Sequence, residues 1–207
     1  ANYNGVTEDI VYGSRTLLKA HPSGNKASHC VGLTFEVFFN AMQLRNKELG
    51  LRSNSFNGMT GDELFDFILT WYAAKDDKGQ YNLATAVESY GLGRRITDWN
   101  EIKPGDFIDF TRANHTGHAV VFLDWVYHNG QIVGMRYWST QDLTSGVGVA
   151  VEYFDATLAN AERRSPIKAD SLFVARVGAV SDYRGFRHTK ASAVPLIGAE
   201  TRIPDLH

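Results

Sequence analysis

An Asn-Gly pair at 129–130 separates two runs rich in β-branched and aromatic residues. These runs are HAVVFLDWVY at 118–127 and QIVGMRYWSTQ at 131–141. An Asn-Gly pair between two such runs is typical of a two-residue type I′ hairpin. Counting outward from the turn places His118 opposite Gln141. We therefore predict an antiparallel hairpin in which these two side chains project from the same face.

The first half of the chain predicts helices. Residues 29–48 are apolar on almost every side, as in a helix that is buried all round. Thr60 followed by Glu63 has the spacing of a capping box, and it predicts a helix that begins there and ends near Lys75. A shorter helix is expected over 82–90, where glycines follow.

The second half of the chain predicts an antiparallel sheet. Beyond the Pro-Gly turn signal at 104–105, the runs 106–112, 146–154 and 171–177 resemble strands in composition, like the two runs of the hairpin. One helix is expected over 156–164, before a proline. Helices first and an antiparallel sheet afterwards is an α+β arrangement.

Length and composition indicate one folded domain over 1–207, with an irregular C-terminal extension over 178–207. The 207 residues contain no repeat or linker, and a formal charge of -2 argues against nucleic acid as a partner. The longest apolar runs, such as 119–123, are far too short to span a membrane. The chain opens on Ala1 rather than on Met, which fits a mature periplasmic or secreted protein.

Cys30 is the only cysteine, and it lies in the first turn of the predicted buried helix. The partial positive charge at a helix N-terminus favours a thiolate, so the position favours reactivity. Ser28 is the expected N-cap, and Gly32 is expected to leave open space beside the thiol. The alternative is that Cys30 is simply a small buried hydrophobic residue, as most free cysteines are.

The predicted hairpin offers partners for a nucleophilic thiol. His118 begins a strand directly after a glycine, so its ring can act as a general base while the strand holds its backbone. The Gln141 side-chain oxygen would accept a hydrogen bond from one imidazole nitrogen and leave the other for the thiol. Ser139 is the reserve third member if the register shifts.

These segments resemble a known family. SHCVGLTFEVF at 28–38 is similar to the nucleophile-helix motif of NlpC-type peptidases. KPGDFIDFTRANHTGHAVVFLDW at 103–125 resembles the segment that NlpC-type peptidases share with CHAP amidases. The likeness covers about 25–45 and 100–145. It implies a papain-like fold, with the nucleophile helix packed on an antiparallel sheet and extra helices inserted.

The resemblance also implies an activity, that of a thiol enzyme that cuts amide bonds of peptidoglycan peptides without cofactor or metal. His118 would take the Cys30 proton, and the Cys30 backbone N–H would help to hold the oxyanion. Three positions depart from the family pattern: His29 replaces an aspartate, Val31 replaces a serine, and Gln141 stands where the family often has histidine or asparagine. The sequence does not identify an inhibitor or immunity protein.

Three other functions compete with this interpretation. The first is a metal site, for which the chain offers two spaced histidines and several nearby acidic residues. The second is a papain-like module that binds cell-wall peptides without cutting them, and the third is a thiol acyltransferase. The residues considered for the metal site are His115, His118, Asp106, Asp109, Asp124 and His128.

Overall fold

The computed structural model describes residues 3–74, 77–158 and 165–186. Within these ranges the chain is α+β, with three α-helices, a six-stranded antiparallel sheet and a two-stranded sheet. In chain order the elements are β1 (Ile10–Tyr12), β2 (Arg15–Leu18), α1 (Cys30–Glu48), α2 (Gly61–Trp71), α3 (Leu83–Ser89), β3 (Gly93–Ile96), β4 (Phe107–Thr111), β5 (Gly117–His128), β6 (Gln131–Gln141), β7 (Gly146–Tyr153) and β8 (Phe173–Val177).

The β5–β6 hairpin forms at the predicted turn. Asn129 and Gly130 both have positive φ, at 49° and 78°, as a type I′ turn requires. The register shifts after Phe122 and again after Val126, and the two shifts cancel. The last pair of the ladder, Val121 with Trp138, therefore keeps the register counted from the turn.

The six-stranded sheet has the order β3-β8-β4-β5-β6-β7, and α1 packs on one of its faces. Phe38 of α1 carries that contact, with its ring 5.1 Å from the ring of Trp71 and 6.2 Å from that of Phe107 in β4. These three rings are buried and belong to one core. The opposite face carries a second core around Phe110 and Tyr137. The packing of a helix on an antiparallel sheet is as predicted.

Several boundaries and exposures differ from the sequence predictions. The second half of α1 is not buried all round, because Leu44 is 58% exposed. α2 ends at Trp71, four residues before the predicted end, although its capping box between Thr60 and Glu63 is confirmed. The strands β1, β2 and β3 were not predicted, and their short length gives little periodicity to detect.

Most residues covered by the two predictions near the C-terminus lie outside the described ranges. Residues 156–158 form a turn, and the rest of the helix predicted over 156–164 lies outside the described residues. Of the extension, 178–186 pack back on the domain, and Arg45 Nη1 donates to the Gly178 carbonyl at 2.9 Å. Residues 187–207 lie outside the described ranges. Within those ranges, no helix has both the length and the apolar character needed to cross a membrane.

The N-terminal segment covers the beginning of α1. The His29 N–H donates to the Gly5 carbonyl at 3.1 Å, and the Tyr72 hydroxyl donates to the Asn4 carbonyl at 2.9 Å. A Cβ on Gly32 would lie 2.3 Å from the Gly5 oxygen. The expectation of open space beside Gly32 is therefore wrong, because the backbone of the N-terminal segment fills that space.

This close approach predicts the effect of Gly32→Ala. Backbone atoms of residues 4 and 5 cannot move aside without breaking their hydrogen bonds, so we expect a loss of about 1–3 kcal/mol in the free energy of unfolding. Gly61→Ala is the matched control, since its Cβ would meet only the Arg15 side chain at 3.8 Å. Denaturant titration of both variants provides the measurement, and a Gly32→Ala variant as stable as the native chain would contradict the packing.

Candidate functional site

Cys30 is the first residue of α1, and the residue before it caps the helix. The N-cap is His29 rather than the expected Ser28, and its Nδ1 accepts a hydrogen bond from the Gly32 N–H at 3.2 Å. The His29 ring also packs edge-on against Tyr72, with 5.8 Å between centroids. The His29 side chain thus supplies the acceptor that caps the first turn of α1.

The Cys30 thiol lies against the beginning of β5. Two backbone N–H groups point at the sulfur, one from Ala119 and one from Val31. Cys30 is only partly exposed, and Val31 is buried in the core beneath α1. The structure therefore brings the thiol to the backbone of the residue that follows His118.

The electrostatic surroundings of the thiol oppose its ionisation. Burial raises the pKa of Cys30, and the carboxylate of Asp109 acts in the same direction. The two backbone N–H groups and the Lys78 ammonium favour the thiolate, yet the pKa remains above its ordinary value. The favourable effect expected from the helix N-terminus is thus opposed by the burial of the thiol. At neutral pH Cys30 is a thiol, and a nucleophilic reaction requires a base to remove its proton.

The buried Asp109 carboxylate and the partly exposed Lys78 ammonium form an ion pair beside this thiol. Lys78 Nζ lies 2.7 Å from Asp109 Oδ1 and donates to the Phe110 carbonyl at 3.2 Å. Burial raises the pKa of Asp109, while the ammonium opposes that rise. The sequence analysis missed Lys78, which reaches the site from a loop between α2 and α3 and carries no local motif.

His118 lies at the second position of β5, and its side chain is 7% exposed. It pairs with Phe110 across the sheet, and its ring packs edge-on against the rings of Phe110 and Tyr137 at 5.7 and 5.6 Å. Ala119, the next residue, projects into the core beneath α1. The imidazole thus belongs to the face that carries these two rings, whereas the thiol meets the strand at its backbone.

Gln141 and Ser139 take different positions at the end of β6. Gln141 Oε1 lies 2.9 Å from the hydroxyl of Tyr137, the residue whose ring packs on His118. The Ser139 hydroxyl donates to the Ala119 carbonyl at 2.8 Å and links β6 to β5 beyond the end of their ladder. The Ser139 hydroxyl is thus engaged by the backbone of β5, and its reserve role stays a prediction.

A buried polar chain lies behind Gln141, and the sequence analysis missed it. The Arg112 guanidinium holds both carboxylate oxygens of Glu152 at 2.7 Å, and the Tyr137 hydroxyl donates to the same carboxylate. All three residues are less than 9% exposed. The available signal was Glu152 itself, a charged residue at an inward position of the apolar strand β7.

The carboxylates proposed for a metal site are engaged separately. Asp106 pairs with Arg176 at 2.6 Å, and Asp124 pairs with Arg136 at 2.5 Å. Asp109 is held by Lys78, as described above. Among the described residues, no group of three or more histidine, cysteine or acidic side chains is arranged to hold a metal ion. The separate ion pairs explain these carboxylates without a metal.

The chain was compared with known protein families, with curated proteins and with solved structures, and none of them matches it.

The charge beside the thiol yields a pH prediction. Asp109→Asn removes the carboxylate that raises the pKa of Cys30 and leaves the Lys78 cation in place. The loss of the negative charge and the remaining Lys78 cation both favour the thiolate, so we expect the midpoint of Cys30 alkylation against pH to fall. Rates of alkylation with iodoacetamide across the pH range measure it.

Asp124→Asn is the matched control, because it breaks an exposed ion pair near the other end of β5 and should leave the midpoint where it is. An unchanged or higher midpoint in Asp109→Asn would show that Asp109 does not control this thiol.

Proposed function

We propose that the chain is a cysteine-dependent amide hydrolase that cleaves peptide or amide bonds of bacterial cell-wall peptidoglycan. One observation carries the proposal: the only thiol of the chain, at the first residue of α1, lies against the backbone N–H of Ala119 beside His118. The motifs around these two residues resemble those of NlpC-type and CHAP enzymes. Such a substrate agrees with a periplasmic or secreted location, which is part of the same proposal.

A papain-like fold is the second part of the proposal. Its support is the packing of α1 on an antiparallel sheet, with the cysteine at the helix start and the histidine at a strand start. The helices α2 and α3 lie between α1 and the strands of the large sheet in the chain, and they would be the inserted elements.

The reaction begins with proton transfer, because the raised pKa of Cys30 keeps the thiol protonated at neutral pH. His118 takes the Cys30 proton as the sulfur attacks the amide carbonyl, and the Cys30 backbone N–H holds the oxyanion. The imidazolium then gives its proton to the leaving amine, and a thioester remains on Cys30. Water, deprotonated by His118, attacks the thioester and releases the acid and the thiol.

One alternative gains support from a specific observation. Because burial raises the pKa of Cys30, the site also suits a module that binds cell-wall peptides without cutting them. The two functions differ in what happens to the substrate, since a binding module retains peptides without generating new amino groups.

Digestion of purified peptidoglycan tests the proposal. The native chain should release fragments with new amino groups, and Cys30→Ser should lower the rate by at least about a thousandfold, because a serine hydroxyl is a far poorer nucleophile in a site built for a thiol. Mass spectrometry of the fragments gives the rate and identifies the bond that is cut. Equal release by both proteins would refute the thiol mechanism, and no release by either would favour the binding module.

A pair of histidine variants separates base catalysis from metal chemistry. His118→Gln should remove activity to a similar extent, whereas His115→Gln changes an exposed residue at the tip of the β4–β5 connection and should retain it. Thermal unfolding of both variants establishes that each is folded. Loss of activity in His115→Gln, restored by added zinc, would support the metal site instead.

A further inference from the structure

The Tyr137 hydroxyl lies within hydrogen-bond distance of two oxygen atoms. One belongs to the Glu152 carboxylate and the other is Gln141 Oε1, at 2.9 Å. A phenol has a single proton, so it can donate to only one of them. Without a proton between them, the other pair of oxygens would repel each other.

The Glu152 carboxylate is the acceptor that receives this proton. It is an ionised group held in place by the two-pronged contact with Arg112, and a hydrogen bond to an ionised acceptor is about twice as strong as one between neutral groups. Glu152 is 3% exposed, so water does not compete for its oxygens. The Tyr137 oxygen then faces Gln141 with its lone pairs, so the end of the Gln141 amide that points at it should be a hydrogen-bond donor.

The Gln141 amide supplies that donor if it is turned end for end. The two ends of an amide are distinguished by their hydrogen bonds, and the partner here selects the NH₂ end. The Gln141 Nε2 position is itself buried and has no hydrogen-bond partner among the described residues. Turning the amide therefore removes a repulsion at Tyr137 and places the carbonyl oxygen at that buried position.

The neighbour that suits this carbonyl oxygen is His118. The ladder register of Val121 with Trp138, extended to the ends of the two strands, places Gln141 opposite His118. Both residues also contact Tyr137, one at its hydroxyl and the other at its ring, 5.6 Å between centroids. An imidazole N–H is the donor that the carbonyl oxygen requires.

We propose that Arg112, Glu152 and Tyr137 are positioning residues that hold the Gln141 carbonyl toward the His118 imidazole and so select which ring nitrogen carries the proton. In this arrangement Arg112 and the Tyr137 hydroxyl both donate to Glu152. Gln141 Nε2 donates to the Tyr137 oxygen, and the His118 ring donates to Gln141 Oε1. The remaining imidazole nitrogen is then the one available as a base. This role rests on the function proposed above.

Nitrogen-15 NMR of the His118 ring tests the relay directly, because the two ring nitrogens of a neutral imidazole have different shifts when one of them is protonated. The signal is assigned by its loss in His118→Gln. The native chain should hold one tautomer, and Tyr137→Phe should change the ratio of tautomers by about fivefold, the scale of one neutral hydrogen bond. Gln141→Ala, at a partly exposed position, should do the same.

The double variant Tyr137→Phe with Gln141→Ala should match Gln141→Ala alone, since Tyr137 acts through Gln141. Tyr12→Phe is the matched control: it removes the hydroxyl of another buried tyrosine, which donates to the Met59 carbonyl at 2.8 Å in the other core, and should leave His118 unchanged. A His118 tautomer ratio that is the same in all variants, or additive effects in the double variant, would overturn the relay. The measurement uses no substrate, so its outcome is independent of whether peptidoglycan is cut.

Discussion

The contact between the start of α1 and the start of β5 is the interaction on which the candidate site depends. Phe38 and Trp71 press α1 and α2 against Phe107 of the sheet, and the N-terminal segment closes over Gly32 from the other side. With both sides occupied, the helix cannot slide along the sheet without breaking close-packed contacts. The Cys30 thiol is thereby held at the Ala119 N–H.

Burial at this position opposes ionisation of the Cys30 thiol. The same burial that locates the thiol raises its pKa, and two backbone N–H groups and Lys78 do not offset that rise. At neutral pH the thiol of such a site is protonated. The proposed reaction would therefore depend on proton transfer during the attack, and the orientation of the imidazole would matter more than it would for a preformed ion pair.

Local patterns were sufficient to predict the hairpin, the capping box and the order of the three helices before β4 to β8. A two-residue turn and a capping box are decided by a few neighbouring residues. The predicted hairpin register also holds at the far end of the ladder, because its two irregularities shift the register in opposite directions. The ion pairs of Lys78 and Arg112 and the packing of the N-terminal segment on Gly32 were not predictable in this way. Each depends on contacts between distant parts of the chain, for which no periodicity or motif exists.

The central claim is that Cys30 attacks an amide carbonyl, and the most direct measurement is the intact mass of the protein after rapid acid quenching during turnover of peptidoglycan fragments. The account predicts a transient added mass equal to the acyl part of the cleaved peptide, located on Cys30 by peptide mapping and absent in Cys30→Ser. Release of fragments with no adduct on Cys30, under quenching fast enough to precede thioester hydrolysis, would contradict it.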